Sequence, residues 1–71
     1  MIEVRLFATL REGRFRERQM AFAGRAGELL GQLGIEAREV GILLVNGNSA
    51  TVETLLGDGD AVAVFPRVGG G

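Results

Sequence analysis

Asp58-Gly59-Asp60-Ala61-Val62-Ala63-Val64-Phe65-Pro66-Arg67-Val68-Gly69-Gly70-Gly71 is the stretch of this 71-residue chain from which its fold is read. Asp-Gly-Asp is a turn of short polar side chains, and the run from Ala61 to Phe65 that follows it has strand composition. Pro66 lacks the donor a β-ladder needs and is expected to end regular pairing. Three residues without a β-carbon close the stretch; they are thin, accept almost any dihedral, and reach about 10 Å beyond Val68 when extended. A last strand that runs into a narrow tail asks for neighbours, and the opposite end of the sequence supplies one.

From Ile2 to Ala8 the apolar positions Ile2, Val4, Leu6 and Ala8 alternate with Glu3, Arg5 and Phe7, the period of a half-buried strand. A loose, Arg-rich loop from Arg11 to Arg16 leads to a second alternating run, Arg18, Met20 and Phe22 against Gln19, Ala21 and Ala23, which completes a hairpin. Ala26, Leu29, Leu30 and Leu33 lie at i, i+3, i+4 and i+7, one helical stripe, with Gly34 as the left-handed stop. No Ser, Thr, Asp or Asn marks the start of that helix, and Gly31 weakens it by about 1 kcal/mol relative to Ala, so packing on a sheet is expected to hold it. Val40 to Val45 is a nearly continuous apolar run that reads as a central strand, ended by the turn Asn46-Gly47. Ser49 to Thr51 reads as a short edge strand, and Leu55 and Leu56 as plugs of the core. Two strands, a helix and two or three further strands close most simply as one α+β domain over residues 1–71, with four to five strands in a mixed sheet around one helix. In that closure the first and last strands are parallel neighbours. Phe7 and Phe65, both opposite in parity to the core positions, then form one exposed apolar patch beside the tail. Leu44, opposite in parity to Leu43 and Val45, is a candidate member of that patch.

Composition removes most chemistries. The chain has no Cys and no His, hence no disulfide, thiolate nucleophile, zinc cluster or imidazole base. Its eight basic residues are all Arg, which leaves no Schiff-base lysine and no lysine acceptor for an isopeptide bond. A net charge of -1 and four aromatics, none of them Tyr or Trp, offer no basic field or stacking platform for nucleic acid. No stretch approaches about 18 apolar residues and no leader pattern opens the chain, so neither membrane nor export is expected and the location is expected to be cytoplasmic. Asp58 and Asp60 are better explained by the turn than as a catalytic pair. No metal site is expected.

The Asp-Gly-Asp turn together with the terminal Gly-Gly resembles the C-terminus of the small subunit of molybdopterin synthase (MoaD), in the family that includes the thiamine sulfur carrier ThiS. Phe7 and Leu10-Arg11-Glu12, Glu28-Leu29-Leu30 to Gly34-Ile35, and Val45-Asn46-Gly47 extend the resemblance along the chain. The resemblance implies a ubiquitin-like β-grasp fold and a sulfur carrier. A partner enzyme would adenylate the Gly71 carboxylate with ATP, and a sulfurtransferase or cysteine desulfurase would supply sulfur for a thiocarboxylate. The large subunit of a synthase would then accept it. The chain has no Gly-rich loop ending in Lys and Ser or Thr to bind ATP itself, so the partner is expected to supply the nucleotide site, with this chain binding no cofactor and acting as co-substrate rather than enzyme. The resemblance implies that Gly70 and Gly71 are the reacting end. Phe7, Phe65, Pro66, Arg67, Val68, Gly69, Arg11 and Leu44 are the partner-facing set, with 67–71 as a flexible tail. Arg11 and Arg67 would meet acidic groups of a partner or serve only as solvated charge. Arg67 replaces the second proline usual in the molybdopterin branch, Gly69 is an extra glycine, and the middle of the chain is short. Phe65-Pro66 favours molybdenum or tungsten cofactor synthesis. The thiamine branch, a ubiquitin-like protein modifier and a plain β-grasp interaction module stay open.

Overall fold

The computed structural model describes residues 1–67. Seven strands and one α-helix form among them: β1 (Ile2–Leu6), β2 (Glu17–Met20), β3 (Gly24–Arg25), α1 (Ala26–Gln32), β4 (Val40–Val45), β5 (Asn48–Ser49), β6 (Leu55–Leu56) and β7 (Ala61–Pro66). Short 3-10 turns at Ala8–Arg11 and Ala37–Glu39 join them. The main sheet has the order β2-β1-β7-β4-β5, and β3 pairs with β6 in a separate two-stranded ribbon. β1 and β7 are parallel, with Val4 opposite Val62 and Leu6 opposite Val64; the other pairings are antiparallel. This is the mixed five-stranded sheet with one helix of a ubiquitin-like β-grasp.

Parity places the core. Ile2, Val4 and Leu6 of β1, Leu43 of β4, and Val62 and Val64 of β7 face Ala26, Leu29 and Leu30 of α1, and Leu10, Ile35 and Leu56 seal the edges. Burial of each Leu, Ile or Val side chain stabilises the fold by about 1.5–3 kcal/mol. None of these buried residues is polar, so the core carries no unpaired group to offset that gain.

The short helix is capped by a distant segment together with one of its own side chains. The Ala26 and Gly27 N–H groups donate to the carbonyls of Thr54 and Val52 at 2.8 and 2.9 Å, and Glu28 accepts from the Arg25 N–H at 2.8 Å. These are three of the four amide donors that a helix start leaves without intrahelical acceptors. At the other end Gly34 takes φ +73°, and Arg14 reaches across from the first hairpin. Its Nε, Nη1 and Nη2 donate to the carbonyls of Leu33, Leu10 and Gly34 at 2.9, 3.1 and 2.8 Å. The loop expected to be loose is therefore stapled to the helix C-terminus.

Four further expectations are corrected. Leu55 is 70% exposed while Leu56 is buried, because neighbours on a two-residue strand point to opposite sides. Ala8 leaves β1 in the left-handed region at φ 52° and is exposed. β4 is an interior strand as read, between β7 and β5, but the helix covers only the Leu43 side of it, and Ile42 on the other side is 53% exposed. Phe22 lies beyond the end of β2, and β7 runs through Pro66, which stands opposite Val40.

Candidate functional site

β1 and β7 run side by side in the same direction, so their outward residues meet at the same end of the sheet. The Phe7 N–H donates to the Val64 carbonyl at 3.1 Å, which extends the β1–β7 ladder one residue past β1. Phe7 and Phe65 consequently stack, with ring centroids 4.1 Å apart and planes 8° from parallel. Such a pair adds about 0.5–1.5 kcal/mol beyond the area it buries. Arg11 donates from Nε to the Leu6 carbonyl at 2.8 Å, and its guanidinium carbon stands 5.6 Å from the centre of the Phe7 ring. One nitrogen of Arg11 is thus committed to the backbone and its charge is drawn to an aromatic face.

The stacked rings form one wall of a groove of about 630 Å³. Ala8, Val40, Gly41 and Ile42 line it with them, as do Pro66 and Arg67. Ile42 is opposite Phe65 in the β4–β7 register. The sequence reading left Ile42 out, although its parity, opposite to that of Leu43, carried the signal. Leu44 shares that outward parity and stands opposite Ala63, but it lines a separate shallow depression with Arg5 and Ala63. The groove therefore takes Ile42 in the place where Leu44 was considered.

Arg67 is exposed and lines the groove. Its N–H donates to the Glu39 carbonyl at 3.1 Å, so the first residue of the 67–71 tail is tied to the body. Val68, Gly69, Gly70 and Gly71 lie outside the described residues.

The Asp-Gly-Asp turn is structural, as expected. Asp60 accepts from the Gly57 N–H at 2.8 Å and from Asn46 Nδ2 at 2.9 Å. These two bonds, the backbone one foremost, hold its carboxyl below the ordinary value of 3.8. Asp58 pairs with the amino terminus at Met1, Gly59 takes φ +88°, and the Gly59 N–H donates to the Met1 carbonyl at 2.8 Å. The turn is thereby locked to the start of β1 at the end of the sheet far from the groove.

An apolar groove with two guanidinium groups at its margin can grip a partner and orient a chain end. Among the described residues its lining holds no nucleophile or proton acceptor. Among the described residues, no three His, Cys, Asp or Glu side chains gather as metal ligands, and no helix is long and apolar enough to cross a membrane.

The family model described as "ThiS family" matches residues 4–71. Three solved structures are similar over nearly the whole chain. The HVO 2177 protein of Haloferax volcanii is 32% identical, with 99% of this chain and 85% of that one covered at a TM-score of 0.70. Small archaeal modifier protein 1 of H. volcanii is 25% identical, with 94% and 97% covered at 0.68. A chain in the complex of subunits 1 and 2 of the molybdopterin-converting factor from Helicobacter pylori 26695 is 25% identical, with 99% and 97% covered at 0.66. No curated protein matches by sequence.

Proposed function

The chain belongs to the ThiS family of small ubiquitin-like carrier proteins, and from that premise we propose that it is a sulfur carrier whose reacting group is the Gly71 carboxylate. The supporting observation is the placement of the Phe7–Phe65 pair and Ile42 on the same strand ends from which residues 68–71 depart. A partner that grips the groove has the chain terminus within about 14 Å of Arg67, the most that four residues span.

The chemistry divides between two proteins. A carboxylate is a poor acyl donor until one of its oxygens becomes a leaving group. In the partner enzyme a Gly71 oxygen attacks the α-phosphorus of ATP, pyrophosphate leaves, and an acyl adenylate forms. The terminal sulfur of a persulfide carried by a sulfurtransferase or cysteine desulfurase then attacks the carbonyl carbon and AMP departs with its bonding pair; a second thiol, as reductant, cleaves the resulting acyl disulfide, leaving a thiocarboxylate and a disulfide between the two thiols. The terminal glycines enter the partner's active site because no β-carbon obstructs them. The groove contributes affinity through its aromatic anchors, and Arg11 and Arg67 contribute orientation and encounter rate.

Molybdenum or tungsten cofactor synthesis is the pathway we favour. Phe65-Pro66 and the likeness to the molybdopterin-converting factor complex support it, with the large subunit of a synthase as sulfur acceptor and the cytoplasm, where ATP is made available, as the compartment. Incubation with the cognate adenylating enzyme, ATP and a sulfur source is expected to raise the intact mass by about 16 Da, one oxygen exchanged for sulfur. An unchanged mass under conditions that thiolate a control carrier argues against the assignment. The likeness to small archaeal modifier protein 1 favours one second reading, attachment of Gly71 to lysines of other proteins. Conjugates bearing the Gly71 remnant in cell extracts would identify that role, and free thiocarboxylate alone would exclude it.

A further inference from the structure

Asn46 and Gly47 make the two-residue turn between β4 and β5, with Val45 opposite Asn48. Both take positive φ, 53° and 82°, the geometry that Asn-Gly favours in a tight hairpin. The same dipeptide is chemically labile. Gly47 has no β-carbon to shield its nitrogen, so in a chain free to turn that atom can close on the Asn46 carboxamide. The Gly47 amide gives up its proton, its nitrogen attacks Asn46 Cγ, the Cγ–Nδ2 bond breaks, and the leaving nitrogen takes up that proton and departs as ammonia. Water then opens the cyclic imide at either carbonyl. The products are Asp and an isoaspartyl link, which carries one extra main-chain carbon.

In the fold the carboxamide is engaged elsewhere. Asn46 Nδ2 donates to Asp60 Oδ1 at 2.9 Å, its Oδ1 accepts from the Ala61 N–H at 2.9 Å, and its own N–H donates to the Ala61 carbonyl at 2.7 Å. Nδ2, the atom that must leave, is thus bound to a carboxylate that also accepts from the Gly57 N–H at 2.8 Å. Asn46 is exposed, so these bonds, and not the exclusion of water, guard it.

We propose that Asn46 is a spontaneous deamidation site which the native turn keeps closed, so that the modification marks chains whose β4–β7 junction has opened. The site is independent of the chemistry at Gly71. Its conversion runs one way. An Asp at position 46 sets a carboxylate against Asp60 Oδ1 in place of the Nδ2 donor, which removes a hydrogen bond and brings like charges together. An isoaspartyl link lengthens a turn whose two-residue length sets the β4–β5 register. The chain that closes again is therefore less stable than the one that opened.

The test uses the full-length wild-type chain at neutral pH, with and without denaturing urea, and follows the gain of about 1 Da by mass spectrometry with peptide mapping. In urea, Asn46 is expected to convert at least about 5-fold faster than Asn48, which precedes Ser49 and its β-carbon. Without urea, Asn46 should convert at least about 10-fold more slowly than in urea. The Ala61 N–H bonds Asn46 Oδ1, so its hydrogen exchange reports the same opening, and the two slowing factors should agree within about 5-fold. An Asn46 that converts no faster than Asn48 in urea, or as fast in the fold as in urea, overturns the site. A slowing that departs from Ala61 exchange in either direction overturns this turn as the gate. N46D, the Asp product, should have a urea midpoint at least about 0.5 M below wild type, and failure to fold is the extreme of the same result. An N46D midpoint equal to that of wild type overturns the loosening.

Discussion

Replacing Arg14 with Ala tests the most unexpected element of the fold, a guanidinium that ties the first hairpin to the end of the helix. Arg14 donates to the carbonyls of Leu33, Leu10 and Gly34, two of which sit at the helix C-terminus, where a cation is also favoured. Three net hydrogen bonds at roughly 0.5–1.5 kcal/mol each, with about 0.3–1 kcal/mol from the helix dipole, set an upper range near 2–5 kcal/mol. The Gly34 carbonyl is exposed and water replaces its lost donor, which brings the expectation down to about 2 kcal/mol. A domain of this size has a total stability of about 4–11 kcal/mol, so the loss is large. It should lower the melting temperature by about 8–16 °C and shift the urea midpoint at an unchanged m-value. R14K separates geometry from charge: an ammonium keeps the favourable end-of-helix charge but reaches only one of the three carbonyls well, and should recover less than half of the loss. An R14A within about 0.5 kcal/mol of wild type, or full recovery by R14K, would refute the staple.

Truncation of either stacked ring should separate binding from folding. F65A and F7A are expected to bind the adenylating enzyme at least about 10-fold more weakly while urea unfolding stays cooperative; collapse of the fold in both would make the pair core rather than contact surface. Asp60 gives a pH test with a definite sign. Its carboxyl is held below 3.8 in the fold, so its contribution is complete above that value and is lost as pH falls from there through the lower folded value. D60N keeps one acceptor oxygen and cannot accept from both the Gly57 N–H and Asn46 Nδ2. It should be less stable than wild type at pH 7, and the gap should narrow below about pH 4. Parallel pH profiles for the two proteins would show that the bonds at Asp60 contribute nothing.

What the sequence revealed depended on whether the deciding contact is local. Strand parity is a property of adjacent residues, so Ile2, Val4 and Leu6 could be assigned to the core, Phe7 and Phe65 to the outer face, and β1 and β7 to one another. The helix stripe Ala26, Leu29, Leu30 and Leu33 was equally visible. Contacts made across the fold left no such trace. The helix start looked uncapped because its amide partners are main-chain carbonyls of Val52 and Thr54, and a carbonyl carries no residue preference. Arg14 looked like loop charge because its partners Leu33 and Gly34 lie nineteen and twenty residues along. Leu55 and Leu56 could not be told apart by type, only by which of them faces inward. At the groove, Ile42 and Leu44 share one parity, and only the register against Phe65 shows which of them reaches it.

The seam between β1 and β7 has a consequence for how the protein is made. The middle of the sheet joins the first of the described strands with the last, so the sheet cannot close while the chain is still short of residue 66. A nascent or prematurely terminated product lacks its central strand, exposes the apolar side of β1 to proteases and chaperones, and presents no assembled groove to a partner. A chain translated only as far as β5 therefore has neither the middle of its sheet nor one of the two stacked rings.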